Sequence, residues 1–561
     1  MWVAMGRRMR WSALTVWVFA AACGGQNNAD SVGGGDQSFV DAGASSCLSS
    51  NECPTGWSCN DFGQCESPPS GDGGVPPSET EYALGQPTSS QRFVYVAMTE
   101  QDELVRIDGE TLEVRSTPVG ESPRVATTIP GGDGVVVIDS LNGTVRIVRP
   151  SSEADTIRVL PTLPNLNRAD VDPSGRFAVL WFDLAKALAD GGLSGVGSFQ
   201  DVTVVSLDAG NEQAVDLTVG FRPREVEFDA LGNHAFVITQ DGVSVIDLAH
   251  ATTSGPSIVP PIAVADPSVP AENIEVDIVS TGHYAAVREA GIAALRVVDV
   301  NGPSPGQRYE LPLASSPSDI DLAPDGSRIY AALREAKQLA IIEVPDDVLA
   351  PNGIETVDLA GATVGSVVLS RDGNRALLFT NATPDERVTL VKLDVPGFPV
   401  STWPLKKSVR ALAISPSSDT ALIINAKAPG DPATATSVDD YIDKSFGYSL
   451  VDLSTGFAKL QITPVDPGPF TYSPDGGRVY VALDGGDTVT ATRALQIVTT
   501  ETGVVATKQL GSPPSAVGIL PGVGQAFVAQ RHPLGRVSFV HLINSAVRTV
   551  TGFDLNGDVV H

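Results

Sequence analysis

The stretch "SDIDLAPDGSRIYAAL", residues 318–333, returns as "FTYSPDGGRVYVAL" at residues 470–483. In both copies a short run of alternating apolar residues meets a Pro-Asp-Gly turn, and a second alternating run follows at once. Proline holds its φ at about −65° and glycine accepts a positive φ, so the triplet reverses the chain tightly. Apolar residues with a period of two belong to a strand with one face buried. Each copy is therefore a β-hairpin.

Looser copies are "ADVDPSGRFAVL" from 169, "VEFDALGNHAFVI" from 226, "VVLSRDGNRALLF" from 367 and "LAISPSSDTALII" from 412; weaker ones begin at 125, 274 and 516. A third strand then ends in Asp before a polar turn, as in "RVVDVNG" and "YSLVDLSTG", and a more polar fourth strand such as "GIETVDL" completes the unit. Four antiparallel strands repeating at a propeller-like spacing, with no helical period, make one blade of an all-β propeller. Nine repeats have a full start. A leading fragment, "RFVYVAMTEQDELVRIDGETLEVRSTPV" (92–119), supplies only strands two to four, and "TGFDLNGDVV" (551–560) reads as the missing first strand and turn, carried by Phe553, Leu555 and Gly557. Pairing the two ends would hide both sheet edges. The count is ten units, arranged as one ring or as two smaller ones.

The S-P-D-G-x-R turn and the V-x-D-x-x-T-G turn resemble the YVTN-type repeat of bacterial and archaeal surface proteins, which is related to lactonase-like seven-bladed propellers. The resemblance covers residues 92–561 and departs from that pattern in blade number. It implies a propeller fold and leaves function open between a binding scaffold and a lactonase-like hydrolase or oxidoreductase with its site in the central channel.

Ahead of the repeats, Arg7, Arg8 and Arg10 precede the apolar run "WSALTVWVFAAA" (11–22) and then Cys23. The run is too short to span a bilayer and fits a cleaved export signal. "FAAAC" resembles the bacterial lipoprotein signal, with Ala20 where an aliphatic residue is usual. That resemblance implies removal of residues 1–22, lipidation of Cys23 and a place in the bacterial cell envelope at the outer membrane. Residues 23–46 and 66–91 are rich in Gly, Ser, Pro and Asp and poor in large apolar side chains, which makes them a tether and a linker. Between them Cys47, Cys53, Cys59 and Cys65 recur at even spacing. In an exported chain so short a segment is stapled by two disulfides, and the pairing Cys47–Cys59 with Cys53–Cys65 is favoured over the other two connectivities and over a zinc site. "PTGWSC" resembles half of an EGF-like module.

The chain carries 66 acidic against 37 basic residues in 561, a net charge of −29, and loss of residues 1–22 removes three arginines and no acid, moving it to −32. Such a surface repels nucleic acid. The partners expected are the membrane, through the lipid, and a protein or glycan bound by the propeller; no cofactor and no metal is expected. Arg124, Arg168, Arg224 and Arg410 fall at or just before first strands, where they would meet at one rim of the channel and could hold an anionic ligand. The alternative is pairing with nearby carboxylates such as Glu225, Asp319 and Asp321. No nucleophile elbow, phosphate loop or metal-ligand spacing of the six histidines is present. "DLNGD" (554–558) lacks the later bidentate Glu of a calcium loop and reads as a turn. Residues 183–200 and 428–446 are extra loops, the second bringing Tyr441, Phe446 and Tyr448.

Overall fold

A computed structural model describes residues 58–59, 65–66, 79–80 and 90–560, except 122, 124, 190–197, 487–490, 553 and 556. The export signal, Cys23, Cys47 and Cys53 lie outside the described residues, as does Arg124. Of the cysteine module, Ser58–Cys59 pairs antiparallel with Cys65–Glu66, placing Cys59 opposite Cys65 along the backbone.

Ten antiparallel sheets make the ring; nine follow one another along the chain, each opening on an inner strand and stepping outward, and blade 1 borrows its inner strand from the end of the propeller. Blade 6 shows the pattern: Asp319–Leu322, Arg328–Leu333, Gln338–Glu343 and Glu355–Asp358. The hairpin read from residues 318–333 is its inner half, with Ile320 opposite Ala331. Gly326 takes φ 72° in the turn, and a Cβ there would stand 2.7 Å from Ser280 Oγ of the preceding blade. Only glycine satisfies both demands, which is why the triplet ends in it. In blade 6 the arginine that follows the turn, Arg328, pairs with Glu343 of its own third strand at 3.1 Å, whereas in other blades it reaches onward round the ring. Arg176 of blade 3 donates to the carbonyl of Gly232 at 3.3 Å, in the turn of blade 4, and Arg478 of blade 9 donates to that of Ile543 at 2.9 Å, in blade 10.

The ring is single. Ten buried apolar clusters each span two successive blades, from Phe93, Tyr95 and Val135 between blades 1 and 2 to Leu520, Phe527, Val94 and Val96 between blades 10 and 1. Two closed rings would need a cluster that joins non-successive blades. Blade 1 takes its inner strand from the C-terminal segment, with Val559 opposite Val96 and Asp558 opposite Ala97. The pairing residues therefore lie after Gly557, not at Phe553 and Leu555 as the alternation suggested. Leu555 is instead buried in the junction between blades 10 and 1, and Phe553 is outside the described residues.

Blade 4 departs from the four-strand unit. It has three strands, Pro223–Phe228, His234–Thr239 and Gly242–Asp247. Beside its third strand only a single bridge, Ile262 to Val243, stands in the place of the fourth, and Ile258 bridges instead to Thr218 at the outer strand of blade 3. Pro260 and Pro261 between them have no N–H to offer a ladder.

Within the segment read as linker, the described residues are held by the propeller. Glu79 and Thr80 lie against blades 6 and 7, Ser90 is buried, and the Gln91 carbonyl accepts the Gly522 amide at 2.8 Å.

The turn aspartates carry a pH dependence. Hydroxyls of Ser327, Ser454 and Ser473 bond the carboxylates of Asp325, Asp452 and Asp475 and, with nearby backbone amides, hold their pKa values below the usual range. A carboxylate depressed by folding adds stability above its unfolded pKa of about 4 and loses it as pH falls toward the folded value. Urea-unfolding free energy should therefore fall with decreasing pH below about 4. The triple variant Asp325→Asn, Asp452→Asn, Asp475→Asn should show a shallower slope there; an unchanged slope would refute the assignment.

Candidate functional site

Antiparallel succession puts two kinds of loop on each face of the ring. The Pro-Asp-Gly turns and the turns between third and fourth strands share one face, which is regular and tied by the arginines described above. The connections entering each inner strand and the loops between second and third strands share the other. This entry rim carries both long insertions and three of the four candidate arginines.

Each of those arginines engages a rim acceptor. Arg168 binds Asp183 through Nε and Nη2, both at 2.9 Å, and so ties the inner strand of blade 3 to its own insertion. Arg224 donates to the Ala271 carbonyl at 2.8 Å, in the segment entering blade 5. Arg410 grips Asp466 bidentately, both bonds 2.9 Å, across the connection from blade 8 to blade 9. The bidentate geometry anticipated for an anionic ligand is thus used, at Arg410, on a carboxylate of this chain.

The acids named as alternative partners line the inner strands instead. Glu225 and Glu227, Glu275 and Asp277, and Asp319 and Asp321 stand at alternate positions of the first strands of blades 4, 5 and 6. An inner strand has no neighbour on its channel side, so its outward amides need acceptors. Glu227 accepts the Ile278 amide at 3.0 Å, Asp319 the Val367 amide at 2.8 Å and Asp321 the Leu369 amide at 2.9 Å, each in the next blade. Glu227, Asp319 and Asp321 thus lace the inner edges of blades 4 to 5 and 6 to 7 together. From the sequence Glu225, Asp319 and Asp321 were expected only as partners for the arginines; Glu227, Glu275 and Asp277 went unnoticed, although the Glu-x-Glu, Glu-x-Asp and Asp-x-Asp alternation marks them. Among the described residues, no group of three or more His, Cys, Asp and Glu is placed to hold a metal ion.

The insertion in blade 8 is a built feature. It runs between Thr420–Asn425 and Phe446–Asp452 and folds into the helix Val438–Lys444. Ser437 caps the helix by accepting the Asp440 amide at 3.1 Å, and Lys444 pairs with Asp440 one turn back at 2.9 Å. At the C-terminal end Lys407, 1% exposed, donates its ammonium to the carbonyls of Ile442 and Asp443 at 2.7 and 2.8 Å. A cation there satisfies two orphan carbonyls and the negative end of the helix dipole. Burial pushes the Lys407 pKa down, with Asp443 and Glu386 opposing the shift.

Val438 and Tyr441, 74% and 47% exposed, project from this helix. With Pro432, Ala435, Thr436 and Ser437 they line an open concavity of about 420 Å³. Phe446 lies at the root of the insertion with the Lys427 ammonium 5.2 Å from its ring centre. Tyr448 is part of the core, its hydroxyl donating to Gln496 at 2.7 Å. Replacing Lys407 with Met should leave the ring intact but loosen the insertion by about 1.5–3 kcal/mol, the value of hydrogen bonds to a charged group. Hydrogen exchange of residues 438–445 reads this as faster opening, with the neighbouring strands unchanged.

No family model matches the chain, and no curated protein matches it in sequence. Similar solved structures include a eukaryotic initiation factor, 13% identical, covering 84% of this chain and 98% of that one with a TM-score of 0.45. Another is dihydro-heme d1 dehydrogenase NirN in complex with DHE, 13% identical, covering 76% and 74% with a TM-score of 0.40. The β-propeller domain of Myceliophteria_thermophila Cps50 (Swd1) is 12% identical over 62% and 97%, with a TM-score of 0.33. The ten closed blades themselves define the class of this protein, a β-propeller.

Proposed function

We propose that this protein is a lipid-anchored cell-envelope receptor whose propeller binds a protein partner through its entry rim, with the blade 8 insertion as the main contact. The observation that carries the reading is the buried Lys407 clamp, which holds a short helix so that Val438 and Tyr441 face solvent rather than the core. A rigidly presented tyrosine beside an apolar neighbour is the composition of a binding hot spot. Exposed Asp431 and Asp439 flank the pair, so the matching surface is apolar with a basic margin. The resemblance to YVTN-type surface proteins and the lipoprotein-like "FAAAC" support the envelope location. If the tether behaves as its composition leads one to expect, a coil of about 40 residues has an end-to-end distance on the order of 35 Å, enough to lift the ring clear of the head groups.

Two experiments test this. Cys23→Ala should move the protein from the membrane to the soluble fraction; continued membrane association would defeat the anchor. A photo-crosslinking residue at Tyr441 in cells should give a discrete protease-sensitive adduct that Val438→Asp abolishes, while the same residue at exposed Leu231, on the opposite face, gives none. Equal labelling from both positions would defeat the rim as the contact face, and a protease-resistant, glycosidase-sensitive adduct would make the partner a glycan.

A further inference from the structure

Glu79 lies ahead of the first propeller strand, in a stretch rich in proline and serine and 255 residues from Arg334, yet its side chain is only 6% exposed. Its carboxylate is ion-paired with Arg334 of blade 6, itself 11% exposed. It accepts the Thr380 hydroxyl at 2.6 Å and the Asn381 and Ala382 amides at 2.7 and 3.1 Å, all from blade 7. The backbone of the next residue is recognised as well. The Thr80 amide donates to Asn381 Oδ1 at 2.8 Å, and Asn381 Nδ2 donates back to the Thr80 carbonyl at 2.7 Å. Asn381 is steadied by the Arg410 carbonyl, which accepts its other N–H at 2.9 Å. Space for the carboxylate depends on Gly365, where a Cβ would fall 1.6 Å from Glu79 Oε1.

We propose that Arg334, Thr380, Asn381 and Ala382 form a binding site for an acidic extended peptide, and that Glu79 occupies it as a ligand supplied in cis. The donor set suits a carboxylate: one guanidinium, one hydroxyl and two backbone amides converge on two oxygens. A buried carboxylate is tolerated only with that degree of pairing. Everything the site reads, a side-chain carboxylate and the backbone N–H and C=O of the following residue, is present in any extended peptide with Glu at an internal position. The pocket opens on the entry rim at blades 6 and 7, whereas Ser90 leads into blade 1 half a ring away. The chain's entry into blade 1 therefore does not by itself require Glu79 to sit at blades 6 and 7. A ligand in trans competes with a tethered one, so its apparent affinity in the intact chain is lowered by the effective concentration of Glu79. Displacement would free the linker while the acidic peptide takes its place.

The test uses the full chain and a fluorescein-labelled peptide of residues 75–84, "VPPSETEYAL". Glu79→Ala should bind this peptide at least tenfold more tightly than the unmodified chain does, and a second change, Arg334→Met, should remove the binding. A peptide with Gln in place of its first Glu should not bind either. Equal affinity of the unmodified chain and Glu79→Ala, or binding indifferent to Arg334→Met, overturns the proposal. Glu79→Gln keeps the shape of the side chain and guards against a folding effect. In that variant hydrogen exchange at the Asn381 and Ala382 amides should quicken while the blade 7 strands stay protected, and added peptide should slow it again. Unchanged exchange at these two amides also overturns the proposal.

Discussion

Deletion of residues 552–561 is expected to lower stability by about 5 kcal/mol, from the loss of two buried apolar side chains and a few ladder hydrogen bonds. Leu555 and Val560 are 5% and 6% exposed and pack into the clusters on either side of blade 1. Val560 donates to the Tyr95 carbonyl at 2.9 Å, and Asp558 and Val559 complete the pairing with Ala97 and Val96. Domains are stable by only about 5–15 kcal/mol, so a loss of this size threatens the whole ring. The deletion also bares the inner edge of Phe93–Met98, whose six residues are all buried in the closed ring. An uncovered apolar edge recruits other strands, so the truncated protein should both melt at lower temperature and self-associate in light scattering. An unchanged melting temperature with a monodisperse monomer would show that the last strand is not the clasp.

The second large effect is expected at the outer junction of blades 1 and 2. Arg106 and Asp155 form an ion pair of 2.7 Å with side chains 8% and 4% exposed, and the Arg106 guanidinium stacks 4.5 Å from the centre of the Phe93 ring. Asp155 also accepts the Ser151 amide at 3.2 Å and the Thr117 hydroxyl at 3.3 Å. Asp155→Ala leaves a guanidinium buried without its counter-ion, which costs about 3–5 kcal/mol, whereas an exposed pair would cost about 1 kcal/mol or less. The double variant Arg106→Met, Asp155→Leu should recover most of that loss, because an apolar pair of similar volume carries no desolvation penalty. Denaturant unfolding of the single and double variants measures both. A single variant within about 1 kcal/mol of the parent would place the pair among ordinary surface contacts.

How much was legible in the chain depended on how far apart the interacting residues lie. The hairpin at 318–333 was readable because strand period and turn chemistry are local, and it appears with its turn at Gly326 and the register Ile320 to Ala331. The completion of blade 1 by the C-terminal segment was readable from a missing first strand, but the pairing residues were misplaced. Two residues of strand carry too little alternation to fix a register, and Leu555, which looked like strand, serves as packing. Pro260-Pro261 stood in plain view; their consequence, a blade of three strands, emerges only when the partner strand Gly242–Asp247 is known. On the rim, Tyr441 was noticed as part of an insertion, while the role of Lys407 was hidden because the carbonyls that it caps come 35 and 36 residues later.

The sequence by itself determined the repeating unit. Period-two runs, Pro-Asp-Gly turns and Asp-ended third strands are contacts made within a few residues, and they specify blades whatever lies around them. Tertiary structure alone decided that ten blades close one ring, because closure depends on the packing angle accumulated over ten interfaces. It alone sent Asp319 and Asp321 to amides 48 residues away in the next blade, and it alone brought Glu79 to Arg334 across 255 residues. In each case a charged group that is buried or half-buried in the closed ring had to find partners in place of water. Which partners were near enough was a property of the closed ring, not of any segment of the chain.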